Sequence, residues 1–232
     1  MDCRKIYAIW KKQIKDTLKN KEILIQFILF PLLTAVMQRS MNIKGMPKNS
    51  FIFLFATMYI GMAPLTAMAA ILSEEKERGT LRVLLMSNVK AGEYLIGTGG
   101  YVLMICTLGA LFFGILGDYR GADLAGFVLA MCVGILISLL LGAAIGVRSK
   151  GQMAATSIAV PVMMVLSFLP MLASFNEKIA KVSKFLFSQQ CSKIMEGIGS
   201  HAAKAESMVI IGANFLVVIL LFTFCYRRYG LE

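Results

Sequence analysis

Histidine, acidic residues and paired cysteines are scarce in this sequence. Among 232 residues there is one histidine, His201, and there are 13 acidic residues against 24 basic ones. The five cysteines are scattered and lack the paired spacing of zinc or redox motifs. A lone histidine without further ligands does not build a zinc site. We therefore expect no metal site, and we expect the cysteines to be small packing residues.

Two further absences concern ATP and ion coupling. The chain contains no G-x-x-x-x-G-K-[ST] motif, the loop whose backbone amides cradle ATP phosphates. Its long apolar runs carry no ionisable residue in their interiors, whereas ion-coupled carriers and proton relays generally need one there. The chain is therefore expected not to be an enzyme, and an ion-coupled carrier is disfavoured.

Apolar residues are abundant. They make up 58% of the chain, and the mean hydropathy is +0.73, well above the roughly half-apolar composition of soluble domains. The runs are close to the roughly 17 to 25 residues that a helix needs to cross the hydrocarbon layer. They predict an all-α integral membrane protein with a single transmembrane domain, 1–232. The six expected spans are 22–38, 51–72, 94–117, 124–147, 152–175 and 208–226.

The net charge of +11 would suggest a nucleic-acid partner in a soluble protein, but the basic residues lie beside the apolar runs, where they meet lipid headgroups. Fifteen lysines and arginines fall on the side of the two termini and nine on the other side. This bias predicts that both termini are cytoplasmic. The start of the chain lacks the apolar core and cleavage site of a secretory signal, so we expect Met1 to begin the mature protein.

Two segments outside the spans are amphipathic. Residues 1–21 are predicted to form a helix on the membrane surface, with lysines on its polar face. The apolar face of this helix consists of Ile6, Ile9, Trp10, Ile14 and Leu18. Residues 176–207 contain short apolar stretches among lysines and predict two short helices that re-enter the outer leaflet. An ordinary extracellular cap is the alternative for this second segment.

The segment 73–90, between the second and third spans, begins with a run of charges and continues as a short apolar-faced helix. Gly79 permits a sharp turn, and Thr80 can cap the helix that follows. One face of that helix carries Leu81, Leu84 and Leu85. The pattern predicts a cytoplasmic helix whose apolar ridge binds the groove of a partner.

Residues 75–89 resemble the E-x-E-x-G-T-x-x-x-L-x-x-[ST]-P-[VI] pattern in the first cytoplasmic loop of bacterial ABC-2 type permeases. Asn88 replaces the usual proline, and Arg82 stands where an acidic residue is common. The order of the other segments is also similar to that family. The resemblance implies a coupling helix that docks on a separate ATPase subunit, which would bind ATP and Mg²⁺, with Glu75 and Glu77 making charge contacts.

The resemblance further implies an exporter in a bacterial plasma membrane, built from two copies of this chain or from this chain and a second permease. The apolar span interiors favour a hydrophobic or amphipathic cargo, such as a drug, an antimicrobial peptide or a lipid. The candidate residues of the substrate path, which helix packing explains equally well, are Met58, Tyr59, Met163, Met164 and Phe168. Gly142 and Gly146 have the four-residue spacing that lets two helices approach closely.

Two other interpretations remain open at this point. One is a channel or immunity protein that acts without an ATPase, which would leave the segment 73–90 unexplained. The other is an intramembrane metalloprotease, because Glu74, Glu75 and Arg78 are similar to an E-E-x-x-x-R signature. The arginine is one position early, and the later spans contain no histidine to complete a metal site.

Overall fold

The computed structural model describes residues 3–40, 49–87, 89–173, 175–198 and 205–230. His201 and Asn88 lie outside these ranges. All elements within them are helices. Their bounds are α1 Cys3–Lys19, α2 Lys21–Ser40, α3 Ser50–Glu77, α4 Thr80–Met86, α5 Ala91–Leu116, α6 Gly121–Arg148, α7 Gln152–Ala173, α8 Glu177–Ser183, α9 Phe187–Gly197 and α10 Ala205–Tyr229.

Five of these helices, α3, α5, α6, α7 and α10, are long and apolar enough to cross a membrane. A sixth span results if α1 and α2, which meet at an angle of 69°, are counted together as one bent span. The protein is thus a multi-pass membrane protein, and the part of it that the structure describes is all-helical.

The core of the bundle lies around α3, which packs against α2, α5, α6, α7 and α9. The closest approach is to α6, where a Cβ atom on Gly142 would overlap the carbonyl oxygen of Leu65 and one on Gly146 would lie 2.6 Å from Cβ of Leu72. The glycine pair therefore serves packing between helices of one chain, because any larger residue would force α3 and α6 apart.

The amphipathic helix α1 packs on the first half of α5. Ile9 fits against Gly97, and the Trp10 indole lies 3.4 Å from the position of a Cβ on Gly100. The buried face also includes the polar residues Gln13 and Thr17. This differs from the sequence-based expectation of one apolar face turned to lipid. Tyr7, Ile14 and Leu18 form a second, exposed apolar stripe.

Helix α9 belongs to the core as well. Its residues Phe187, Cys191 and Met195, spaced four apart, are buried, and the Cys191 sulfur lies 3.1 Å from the position of a Cβ on Gly134. The Ser188 hydroxyl donates to the carbonyl of Leu166 on α7 at 2.7 Å. The segment between the last two spans is thus partly anchored inside the bundle.

Candidate functional site

The charged segment 73–90 starts inside α3. This helix continues without a break from Ser50 to Glu77, so the first five residues of the expected loop are helical. Gly79 then turns the chain with φ 68°, in the left-handed region that favours glycine, and α4 begins at Thr80. The Thr80 hydroxyl does not cap α4 but donates to the carbonyl of Glu75 at 3.2 Å, and so it closes the turn from inside.

The leucines of α4 face the protein, contrary to the expectation that they form a ridge for a partner. Leu81 is 1% exposed, and Leu84 and Leu85 are partly buried against the core. Val83 and Met86 are instead 66% and 80% exposed. Sequence periodicity identified an amphipathic helix correctly but could not tell that its own bundle supplies the groove for the leucines.

Glu75 also points inward. It is 6% exposed, and its Oε1 accepts hydrogen bonds from Nζ of Lys12 at 2.5 Å and from Nε2 of Gln13 at 2.7 Å, both on α1. Nζ of Lys12 also forms an ion pair with Oδ2 of Asp16 at 3.3 Å. A buried carboxylate needs such partners, because desolvation without them is costly. Glu75 therefore ties α1 to the end of α3 and is not available for the expected charge contact with a partner.

Glu77 and its neighbour Lys76 reach the turn between α6 and α7. The Glu77 Oε2 accepts a hydrogen bond from the backbone N–H of Gln152 at 2.7 Å. Nζ of Lys76 donates to the carbonyl of Val147 at 2.7 Å. Glu77, for which a charge contact with the ATPase was expected, is exposed and has a hydrogen-bond partner within the chain. Lys12, Gln13 and Lys76 were missed by sequence reasoning, although Gln13 interrupts an apolar helix face and was a usable signal.

A cavity of about 800 Å³ opens between α1 and the α3–α4 turn. It is lined by charges of both signs, among them Asp16, Glu74 and Arg78. Arg78 and Glu74 pair at 2.8 Å across one helical turn. Because the arginine is well exposed, this pair adds little to stability. The mixed lining gives the cavity no clear preference for an anion or a cation.

A second cavity, of about 290 Å³, is a groove between α2, α3 and α7. Its walls are largely apolar, and the Thr66 hydroxyl donates to Oε1 of Gln26 at 2.8 Å at its lining. Of the five candidate residues of the substrate path, only Met163 lines this groove. Three others are placed elsewhere: Met58 and Tyr59 are buried in the core, and Met164 is half exposed. Phe168 packs against the core.

The model of the family described as ABC-2 type transporter matches residues 4–177 of the 232. This chain belongs to the ABC-2 type transporter family. No curated protein matches the chain. The match runs from α1 to the first residue of α8, so it includes α4, both cavities and the contacts of Glu75 and Glu77.

As an ABC-2 permease, the chain is a transport subunit without an ATPase site of its own, and it works with an ABC ATPase subunit. Because residues 74–78 lie within the family match, we assign them to a permease and no longer to an intramembrane metalloprotease. Within the described residues, no three His, Cys, Asp or Glu side chains lie close enough to hold a metal ion. The α3–α4 turn and α4 combine the buried contacts of Glu75 with the exposed apolar side chains Val83 and Met86.

Proposed function

We propose that the chain is the membrane subunit of a bacterial exporter, and that its ATPase docks on the exposed face of α4. The observation that carries this proposal is the pair Val83 and Met86, which are largely exposed on a helix whose other face is held by the protein. Exposed apolar side chains beside charged ones are typical of a protein interface. ATP and Mg²⁺ would bind to the ATPase and not to this chain.

The contacts that the segment 73–90 makes with the rest of the chain support this docking site. Glu75, Glu77 and the Thr80 hydroxyl fix the turn, Gly79 allows it, and the leucines hold α4 against the bundle. Because α4 is held in this way, a movement of the docked ATPase would displace α4 together with the end of α3. The coupling residues of this proposal are thus Glu75, Glu77, Gly79, Thr80, Leu81, Leu84 and Leu85 as the support, with Val83 and Met86 as the contact surface.

The proposed topology has six spans, of which α2 is the first. Both termini lie on the cytoplasmic side of a plasma membrane. The bias of basic residues supports this orientation. The exposed stripe Tyr7, Ile14 and Leu18, with the exposed Lys11 and Lys15 beside it, suits a helix at the lipid surface. Labelling of single cysteines at 15 and at 182 with a membrane-impermeant reagent from either side of the membrane tests the topology, and label reaching both from one side would refute it.

The proposed cargo is hydrophobic or amphipathic and enters the groove between α2, α3 and α7. Apolar walls with a few polar groups such as Gln26 and Thr66 are typical of sites for such molecules. Exposed apolar residues of α2 and α7, including Leu32 and Val165, would be covered by a second copy in a homodimer or by a second permease. Light scattering of the purified complex would distinguish one copy from two.

The experiment that tests docking compares two aspartate variants of the tagged chain in a detergent pull-down from its native membrane. Val83→Asp lies on the proposed surface, and Val182→Asp on α8 is the matched control, since Val182 is 63% exposed. We expect wild type and the control to recover an ATPase, and Val83→Asp to recover at least about tenfold less, as for a central interface residue.

Retention of the ATPase by Val83→Asp would show that α4 is not the docking site. If wild type that is folded and inserted recovers no ATPase, the exporter assignment fails, and a channel or immunity protein becomes the better interpretation. Leu84→Asp is the weaker test, because Leu84 packs on the core and its loss would disturb the fold itself.

A further inference from the structure

The turn between α6 and α7 is held from two sides by adjacent residues at the end of α3. Nζ of Lys76 donates to the carbonyl of Val147 in the last turn of α6, and the Glu77 carboxylate accepts from the N–H of Gln152, the first residue of α7, each at 2.7 Å. We call these two side chains with their two hydrogen bonds the α6–α7 clamp.

The charges of the clamp match the helix ends that they touch. The C-terminal end of a helix carries a partial negative charge and favours the Lys76 ammonium, while the N-terminal end carries a partial positive charge and favours the Glu77 carboxylate. Gly151 makes room for the contact, because a Cβ atom there would lie 2.9 Å from Oε2 of Glu77. Two complementary contacts and a glycine clearance argue against a chance approach of two surface side chains.

The clamp connects the two functional parts of the molecule. On one side, α4 begins three residues after Glu77. On the other side, Gln152 and Thr156 in the first turns of α7 line the groove. A displacement of α4 that moves the end of α3 would therefore also move the start of α7, which forms one wall of the groove.

Helix α7 has a second attachment and a weak point between the two. The Ser167 hydroxyl donates to the carbonyl of Met58 on α3 at 3.2 Å. Pro161 lies between this contact and the clamp, and a proline inside a helix removes one backbone hydrogen bond and lets the helix kink. Pro161 thus allows the angle between the two halves of α7 to change, with the second half held to α3 by Ser167.

We propose that Lys76 and Glu77 are positioning residues that pass ATPase-driven movement of α4 to the first half of α7, and so set the width of the groove. This inference rests on the proposed function. It replaces the earlier assignment of Glu77 as a contact of the ATPase: the residue acts within the chain, on α7.

The test measures the distance between nitroxide labels at Ile96 on α5 and Ser157 on α7, both exposed. The complex with its ATPase is reconstituted in lipid and diluted with unlabelled chain, so that only distances within one copy are seen. Reactive native cysteines are replaced by serine. Spectra are recorded without nucleotide and after trapping with ATP, Mg²⁺ and vanadate. We expect the wild-type distance to change on trapping.

Three variants assign the change to the clamp. Glu77→Ala should abolish it while the ATPase still co-purifies. Glu77→Gln should keep it, because the amide oxygen still accepts from the N–H of Gln152. Lys150→Ala is the control, since it removes an exposed cation from the same turn and should change nothing. The clamp proposal would be overturned by an equal distance change in wild type and Glu77→Ala, or by no change in wild type that carries its ATPase. Wild type that binds no ATPase would instead overturn the proposed function.

A disulfide provides a second arm that does not depend on the stability of Glu77→Ala. A Cβ on Gly151 would lie 3.6 Å from Cγ of Glu77, the place that the sulfur of a cysteine at position 77 would take, so cysteines at these two positions are candidates for a disulfide. We expect the oxidised double variant, studied without spin labels, to show ATP hydrolysis stimulated by the permease. Reduction should lower that stimulation by about tenfold. Equal stimulation before and after reduction would contradict the inference.

Discussion

Helices α3 and α10 are both long and apolar, yet α3 is mostly buried in the bundle and α10 is mostly exposed at its surface. About two thirds of the apolar stretch of α3 is buried, 67%, against 17% of that of α10, although α10 is the more hydrophobic of the two. In lipid, an apolar side chain gains little by moving from the acyl chains into the protein. Hydrophobicity therefore does not decide which helix lies at the centre.

Close packing and hydrogen bonds between helices distinguish the two. α3 meets glycines of α6 and the Ser167 hydroxyl of α7. The buried apolar side chains of α10 are instead reduced to a narrow stripe of Ile211, Val218 and Cys225, spaced seven residues apart. The central helix thus owes its place to shape and polar contacts, and the peripheral helix is held along one line.

The largest expected contrast concerns glycines. Gly142→Ala places a Cβ against the backbone carbonyl of Leu65 on α3, which cannot move aside as a side chain can, and we expect a loss of about 3 kcal/mol. Gly212→Ala on α10 is the control, because nothing lies within 4 Å of its Cβ. Thermal unfolding in detergent checks both. Equal melting temperatures for the two variants would break the comparison.

The next contrast concerns aromatic rings. Tyr59 on α3 is fully buried, with its ring 5.5 Å from that of Phe113 and 6.4 Å from that of Phe30. Truncation by Tyr59→Ala should cost about 2 kcal/mol. This is below the roughly 3 to 5 kcal/mol of an aromatic truncation in a soluble core, because in lipid the loss is mainly one of packing. Phe224→Ala on α10 should cost much less, since that side chain is 60% exposed. The same unfolding assay decides, and a larger loss for Phe224→Ala would mean that α10 has a buried face in the assembled complex.

The smallest contrast concerns single hydroxyl groups. Ser167→Ala removes the hydrogen bond from α7 to the carbonyl of Met58 on α3, and we expect a loss of about 1 kcal/mol. Thr223→Val on α10 removes a hydroxyl that donates only to Ile219 of its own helix, so its effect should be close to zero. Chemical denaturation in mixed micelles has the resolution for this pair. A neutral Ser167→Ala would show that this contact does not attach α7.

The difference between local patterns and contacts between distant residues also explains which parts of the site could be predicted from the sequence. The charged segment after the second span, its glycine turn and the short helix with leucines on one face were all readable, because they depend on local spacing. The direction of each side chain was not. Glu75 and the leucines turn inward, whereas the exposed Glu77 contacts the start of α7, because α1, the bundle itself and the α6–α7 turn offer partners. The partners of the two glutamates lie 60 or more positions away in the chain.

By itself, the sequence determined the solvent of this protein and its helical, multi-pass class, since long apolar runs must satisfy their backbone hydrogen bonds internally in lipid. It also determined the family, through a short motif in a specific place. Only the tertiary structure decided that α3 is the central helix, that Val83 and Met86 are the exposed apolar residues of α4, and that Lys76 and Glu77 hold the turn before α7. These outcomes depend on distances between residues far apart in sequence, which no local pattern contains.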